Sequence, residues 1–288
     1  MNLTDYNEIR ALLSRHGFRF SKSLGQNFLT AAWVPERIAE EAGLDEQTDV
    51  LEIGPGVGCL TVELAKRAGK VVSVELDRAL MPVLAETLTG CENVEVVFGD
   101  ATRMDLKALV GECFPGLRPV VCANLPYNVT SPLLTALIET GCFETITVMI
   151  QREVARRLCA APGSADYGAF GLFVQWHCET ELLFDVPPSC FVPQPKVTSS
   201  VIRLTRRETP PVPVRDEGLL FRIIRAAFNQ RRKTLVNALA SGLGLGKEDL
   251  ETVLTNAGFD TRIRGEALDI GGFAKIADEI FLRKNADL

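Results

Sequence analysis

Histidine is nearly absent from this sequence. The two present, His16 and His177, have no neighbouring Ser, Cys or Asp that would suggest a triad, so imidazole-based acid/base catalysis is set aside. None of the eight cysteines forms a C-x-x-C pair, and no Cys/His cluster has zinc-ligand spacing, so no metal is expected. Cys91, Cys122, Cys142 and Cys178 sit beside apolar residues, where cysteine behaves as a small hydrophobe, and buried thiols are expected rather than disulfides. No apolar run approaches the roughly 20 residues that span a bilayer. The first residues show no cationic start followed by an apolar stretch, and they carry Asp5 and Glu8, which a transit peptide avoids. The expectation is a cytoplasmic protein with no membrane partner.

A positive net charge is also lacking. The chain carries −6 at neutral pH, which at first counts against a nucleic-acid partner, because phosphate neutralisation drives that binding. The positive residues are nevertheless clustered. One group is Arg10, Arg15, Arg19 and Lys22; the other is Arg222, Arg225, Arg231, Arg232 and Lys233. Either group alone reads as a solvated helix face.

What is present is a regular alternation. Val50–Ile53, Val71–Glu75, Val94–Phe98, Val120–Ala123 and Ile146–Ile150 read as β-branched strands. Helical patterns at Leu60–Ala68, Arg78–Leu88 and Pro132–Glu139 separate them. Such alternation implies right-handed crossovers and an α/β fold with a mostly parallel, doubly wound sheet. Ligands of such sheets bind beyond the carboxyl ends of the strands, where Gly54, Glu75, Asp100 and Asn124 all fall. After Tyr167 the pattern changes. Glu181–Val186 and Val197–Leu204 suggest a hairpin joined by the proline-rich stretch 187–195, and Pro210–Pro213 reads as a linker. From Asp216 onward the pattern is helical, with a glycine-rich break at Gly242–Gly246. A boundary near Arg206 divides a domain 1–205 from a small all-helical domain 206–288.

Three features occupy successive strand ends. Gly54-x-Gly56-x-Gly58 allows a tight turn and close ligand approach. A dinucleotide fingerprint would need a further glycine where Cys59 stands, so a phosphate-free nucleoside fits better than a pyrophosphate. Glu75 can accept both hydroxyls of a ribose, or could simply be a capping or solvated acid. Asp100, followed by Ala101, can accept from an adenine amino group, or could form an Asx-turn. Together at consecutive strand ends they favour an adenosine-bearing ligand.

After the fourth strand comes Asn124-Leu125-Pro126-Tyr127. This motif resembles that of methyltransferases acting on exocyclic amines of bases, and the Leu-Pro-Tyr form resembles the small-subunit (16S) ribosomal RNA adenine N6,N6-dimethyltransferase family. The resemblance covers nearly the whole chain. Ser23-Leu24-Gly25-Gln26-Asn27-Phe28-Leu29 matches the family's N-terminal signature. Phe191-x-Pro193-x-Pro195-Lys196-Val197 matches a later motif, and Gln151–Val154 and Tyr167-Gly168 also fit. Phe228–Leu235 matches the start of the helical domain, except that Val236 stands where a further basic residue is expected.

The resemblance implies a Rossmann-like class I methyltransferase that uses S-adenosylmethionine, with no metal. Its RNA substrate would be 16S rRNA in an immature small subunit, two adjacent adenosines each being dimethylated by a monomeric enzyme. It implies that Asn27 and Leu29 contact the cofactor and that Phe191 flanks the target base opposite Tyr127. It also implies that Arg222, Arg225, Arg231, Arg232 and Lys233 form an RNA-facing surface. The residue types suit the chemistry. Adenine N6 is a poor nucleophile because its lone pair is delocalised into the ring. The Asn124 oxygen and a backbone carbonyl preceding or at Pro126 can accept both amine hydrogens, while proline holds the backbone in place. Tyr127 can stack on a flipped base, a contact worth about 1–3 kcal/mol. Two rivals remain at this point: a large-subunit rRNA methylase, and an assembly factor whose binding matters more than its catalysis.

Overall fold

The computed structural model describes residues 1–19, 25–114, 116 and 118–286, with side chains described as far as 283. Ser23, Leu24 and Lys22 from the motifs above lie outside the described residues. The described chain falls into two compact units. One comprises Met1–Ala155 with Glu179–Arg206; the other comprises Arg156–Cys178 with Arg207–Leu288. The helical unit thus recruits an earlier stretch, 156–178, that sequence reading leaves with the first domain.

The first unit is built on β2 (Thr48–Ile53), β3 (Lys70–Glu75), β4 (Val94–Phe98), β5 (Arg118–Asn124) and β6 (Thr145–Gln151), with β7 (Cys178–Val186) at one edge and β9 (Ser199–Arg206) beside it. The order across the sheet is β4-β3-β2-β5-β6-β9-β7. Pairings from β4 through β6 are parallel, and β9 runs antiparallel to β6. β2 is buried along its whole length, as a central parallel strand covered on both faces should be. The chain moves outward from β2 to β4 and then returns to β5 on the other side. That reversal opens a crevice beyond the carboxyl ends of β2 and β5.

The helix expected from Leu60 runs Cys59–Ala65. The helical stretch expected at Arg78 starts as a short 3-10 turn, Arg78–Leu80, and continues as a helix Met81–Thr87. Pro82 is tolerated there because the first turn of a helix needs no amide donor. The expected hairpin partners do lie side by side, but their connection does more than turn. Within it, β8 (Phe191–Val192) leaves the main sheet and pairs antiparallel with β1 (Phe28–Leu29). Two motifs more than 150 residues apart thereby become one small ribbon.

In the helical unit, Leu220, Ile223 and Ile224 from the helix Glu217–Asn229 pack with Leu235, Leu239, Leu250, Leu254, Phe273 and Ile276. Trp176 and Tyr167 join this core from the recruited stretch. Tyr167 donates its hydroxyl to the Leu268 carbonyl at 2.9 Å and meets Phe228 edge-on. Gly171 has to be glycine: a Cβ there would lie 2.4 Å from the Arg157 carbonyl oxygen. Val236, at the position where a basic side chain was expected, is buried in this core, so packing accounts for an apolar residue. All eight cysteines are free. Cys122 and Cys178 are buried as expected, whereas Cys91 and Cys142 are only partly so. Among the described residues no helix is long and apolar enough to cross a membrane.

Candidate active site

The crevice is a cleft of about 1190 Å³, part of it open to solvent. Its floor is the turn after β2, where Gly54, Gly56 and Gly58 have φ of 72°, 63° and 90°. A side chain would be strained at each of these positions. At Gly56 a Cβ would also stand 3.1 Å from the ring of Phe28. The turn therefore presents bare backbone to the cleft.

Glu75 ends β3 and is buried. One of its oxygens accepts from the Asp77 amide at 2.7 Å and the other from the Gly56 amide at 3.4 Å. These bonds aim the carboxylate along the cleft wall, while burial pushes its pKa above the usual glutamate range. Asp100 and Ala101 line the same wall beyond β4. Asp100 also makes the Asx-turn considered above. Its Oδ1 accepts from the Thr102 amide and hydroxyl at 3.0 and 2.6 Å, which holds the carboxyl below its ordinary range. The structure thus contains the Asx-turn, and that turn fixes how the carboxylate stands at the cleft wall.

Gly25–Leu29 forms another wall and touches the loops after β2, β3 and β5. Gln26 donates to Asp77 at 2.7 Å, and the Phe28 ring covers Gly56. The Asn27 carbonyl accepts from Asn124 Nδ2 at 3.5 Å. That contact decides how the Asn124 amide is presented: its nitrogen is engaged, and Oδ1 is the end left to accept.

The two candidate carbonyls near Pro126 are not equivalent. The Pro126 carbonyl already accepts from the Val129 amide at 3.2 Å and the Thr130 hydroxyl at 3.1 Å. The Leu125 carbonyl accepts no bond among the described residues. Of the two positions that sequence leaves open, the one before proline is therefore available. Tyr127 is half-buried, and its hydroxyl lies 2.5 Å from Ser199 Oγ. Burial raises its pKa above that of an ordinary phenol, so the group is protonated at neutral pH and is no base.

One expected position needs correction. Phe191 does not line the cleft. Opposite Leu29 on the ribbon, its side chain turns into the core with Leu29, Val34 and Ile38 and is 2% exposed. Strand alternation sends Val192 to the other side, against the cluster around Phe28 and Val57. The ring of Phe191 thus packs behind the wall that carries Leu29.

Sequence reasoning also missed residues. Glu52 lies in β2 at the cleft floor, 1% exposed, and accepts from Thr61 and Ser73 hydroxyls at 2.7 and 2.6 Å. Burial, and secondarily the charge of Glu75, pushes its pKa up to about 7. The available signal was an acid inside a strand that the topology must bury. Thr130 and Ser199 gave no such signal.

The basic residues separate into two kinds. Arg222, Arg225, Arg232 and Lys233 are exposed. Arg231 is committed within the helical unit, paired with Glu266 at 2.7 Å and donating to the carbonyls of Ala165 and Ser164. In the N-terminal group, Arg15 pairs with Glu86, whose other oxygen lies 2.7 Å from His16. Arg10 and Arg19 are exposed.

The family model for ribosomal RNA adenine dimethylase matches residues 17–279. A ribosomal RNA small subunit methyltransferase A of Pelotomaculum thermopropionicum is 48% identical over 278 residues, covering 94% of both chains. The protein of that name from Clostridium acetobutylicum is 45% identical over 273 residues, covering 94% of this chain and 98% of its own. Among solved structures, a dimethyladenosine transferase from Plasmodium falciparum aligns with a TM-score of 0.71 at 26% identity, covering 90% of this chain and 97% of its own. The 23S rRNA methyltransferase ErmE aligns with a TM-score of 0.66 at 28% identity, covering 88% and 99%. The cleft at the switch point of a class I sheet, with its asparagine–proline–tyrosine turn, thus comes with a match along nearly the whole length: the chain belongs to the ribosomal RNA adenine dimethylase family.

Proposed function

We propose that this enzyme dimethylates N6 of adenosines, two of them adjacent, in 16S rRNA of an immature small ribosomal subunit in the cytoplasm. The observation that carries the reading is the pair of acceptors at the end of β5. Asn124 Oδ1 and the Leu125 carbonyl are both available, beside a protonated, tethered tyrosine ring. The share of identity with small-subunit methyltransferases, 45–48% against 28% for the 23S enzyme, favours the small subunit as substrate.

The residues present fit S-adenosylmethionine. A bare glycine turn, a buried carboxylate at ribose position and the small Ala101 between polar walls leave room for a nucleoside without phosphates. When bound, this cofactor supplies the methyl group as an electrophile. Glu75 would hold the ribose, Asp100 the adenine amine, and Asn27, Leu29, Gly54 and Gly56 would line the remainder. Asn124 Oδ1 and the Leu125 carbonyl would accept the two hydrogens of the target amine. This localises its lone pair and aims it towards the cofactor side of the cleft. Tyr127 would stack on the base. No strong base is required, because the amine becomes acidic only after it has gained a methyl. Orientation of this kind can recover roughly 7–11 kcal/mol of a barrier. The enzyme would act as a monomer, with Arg222, Arg225, Arg232 and Lys233 meeting rRNA phosphates.

Asn124→Ala tests the reading. An acceptor whose bond strengthens in the transition state contributes to rate more than to binding. Single-turnover methylation of undermethylated small subunits should slow by about 100-fold or more, the scale of losing one pre-organised transition-state interaction. Subunit affinity should be unchanged. A variant that binds weakly and transfers at the normal rate would refute it.

A further inference from the structure

The residue that tethers the Tyr127 ring has been given no role of its own above. Ser199 opens β9 and is fully buried. Because β9 runs antiparallel to β6, its first residue pairs with Gln151, the last of β6. It therefore sits at the edge where the parallel strands deliver Glu75 and Asn124. From there its hydroxyl reaches Tyr127 Oη, 2.5 Å away. The tyrosine backbone is held separately: the Thr130 hydroxyl approaches the carbonyls of Pro126 at 3.1 Å and Tyr127 at 3.4 Å. The turn is thus pinned from the helix that follows it, and the tip of the ring from β9. The phenol oxygen lies on the axis through Cβ and Cγ, so the hydrogen bond at the tip fixes where that axis points and holds the side chain in one χ1 well. Ser200, the next residue, faces the other way and bonds Asp185 at 2.5 Å.

We propose that Ser199 is a positioning residue for methyl transfer. Its hydroxyl holds the Tyr127 phenol so that the ring stays in one place beside the target adenine. This rests on the reading of Tyr127 as the stacking residue. No bond to Ser199 forms or breaks during the reaction; the hydroxyl–hydroxyl hydrogen bond persists throughout.

The test is single-turnover methylation of undermethylated small subunits by Ser199→Ala, Tyr127→Phe, the double variant, Ser200→Ala and Tyr127→Ala. Each of the first two removes one side of the same hydrogen bond. Each should slow transfer severalfold, short of the roughly 100-fold that a full 1 Å misplacement can cost, and the double variant should be no slower than either. Ser200→Ala should run at the wild-type rate. Calorimetric affinity for S-adenosylmethionine and subunit affinity should be unchanged in Ser199→Ala while single-turnover transfer slows, a split that a merely structural role would not produce; the melting temperature should fall only as far as one lost buried hydrogen bond requires. Multiplying effects in the double variant would overturn the proposal. So would a Tyr127→Phe rate far below that of Ser199→Ala, which would give the phenol a chemical part. A wild-type rate for Ser199→Ala with Tyr127→Ala impaired would sink the Ser199 role alone. A wild-type rate for Tyr127→Ala would sink the stacking reading beneath it.

Discussion

Glu52→Gln should change how the stability of the sheet unit depends on pH. The carboxyl is 1% exposed, and its pKa is pushed from 4.5 to about 7, first by loss of water and then by Glu75, against two hydroxyl donors. In the unfolded chain the group ionises near 4.5; in the folded protein it keeps its proton to about 7. Between these values the unfolded state binds fewer protons, so stability falls as pH rises, by about 1.4 kcal/mol per pH unit. The stabilisation present at pH 4.5 is lost by pH 7, about 3 kcal/mol in total. Glutamine keeps the volume and can bond Thr61 and Ser73 without carrying a charge. Relative to wild type, Glu52→Gln should therefore gain about 3 kcal/mol between about pH 5 and pH 8. Acids with lowered values, such as Glu63 and Asp100, pull the other way but cancel in the difference between the two proteins. Urea unfolding followed by Trp33 fluorescence reads this unit alone once Trp176, in the helical unit, is replaced by Phe. Parallel stability profiles across that pH range would show that Glu52 is ionised when folded and that the buried-acid reasoning is wrong.

Three further outcomes follow from the site, the surface and the helical core. Glu75→Gln should weaken S-adenosylmethionine binding at about pH 8 by roughly tenfold, the scale of losing one charge-assisted bond, and the wild-type affinity should decline in acid as the carboxyl protonates. Titration calorimetry across pH checks both. Replacing Arg222, Arg225, Arg232 and Lys233 with Gln should flatten the salt dependence of subunit binding, by about 0.7–0.9 in slope for each phosphate that is no longer neutralised. Arg231→Gln should instead lower the melting point of the helical unit, by about 1–2 kcal/mol of stability, because its bonds run to Glu266, Ser164 and Ala165.

Much of this molecule was legible in its sequence because the relevant signals are local. Period and β-branching marked the five parallel strands, and Val94–Phe98 agrees residue for residue. The doubly wound topology then followed from handedness and placed Gly54, Glu75, Asp100 and Asn124 at one edge. The Asn124–Tyr127 motif pointed to its chemistry through its resemblance to methyltransferases of base amines, and its residue types suit that chemistry.

What the chain alone could not decide depends on partners far away along it. Pairing of Leu29 with Phe191 turned an expected base-facing ring into core, because alternation on a two-residue strand leaves no freedom once one side chain is buried. The choice between the Leu125 and Pro126 carbonyls was settled by Thr130, and the orientation of the Asn124 amide by the Asn27 carbonyl. Arg231 and Arg232 are adjacent in sequence, yet one is locked to Glu266 and the other exposed. Ser199 came within reach of Tyr127 only because β9 is antiparallel, which brings the start of that strand to the edge where the others end. Composition and periodicity determine which segments form strands and helices. Which acceptor stays free, and which charge stays exposed, is determined by packing between segments that only the folded chain brings together.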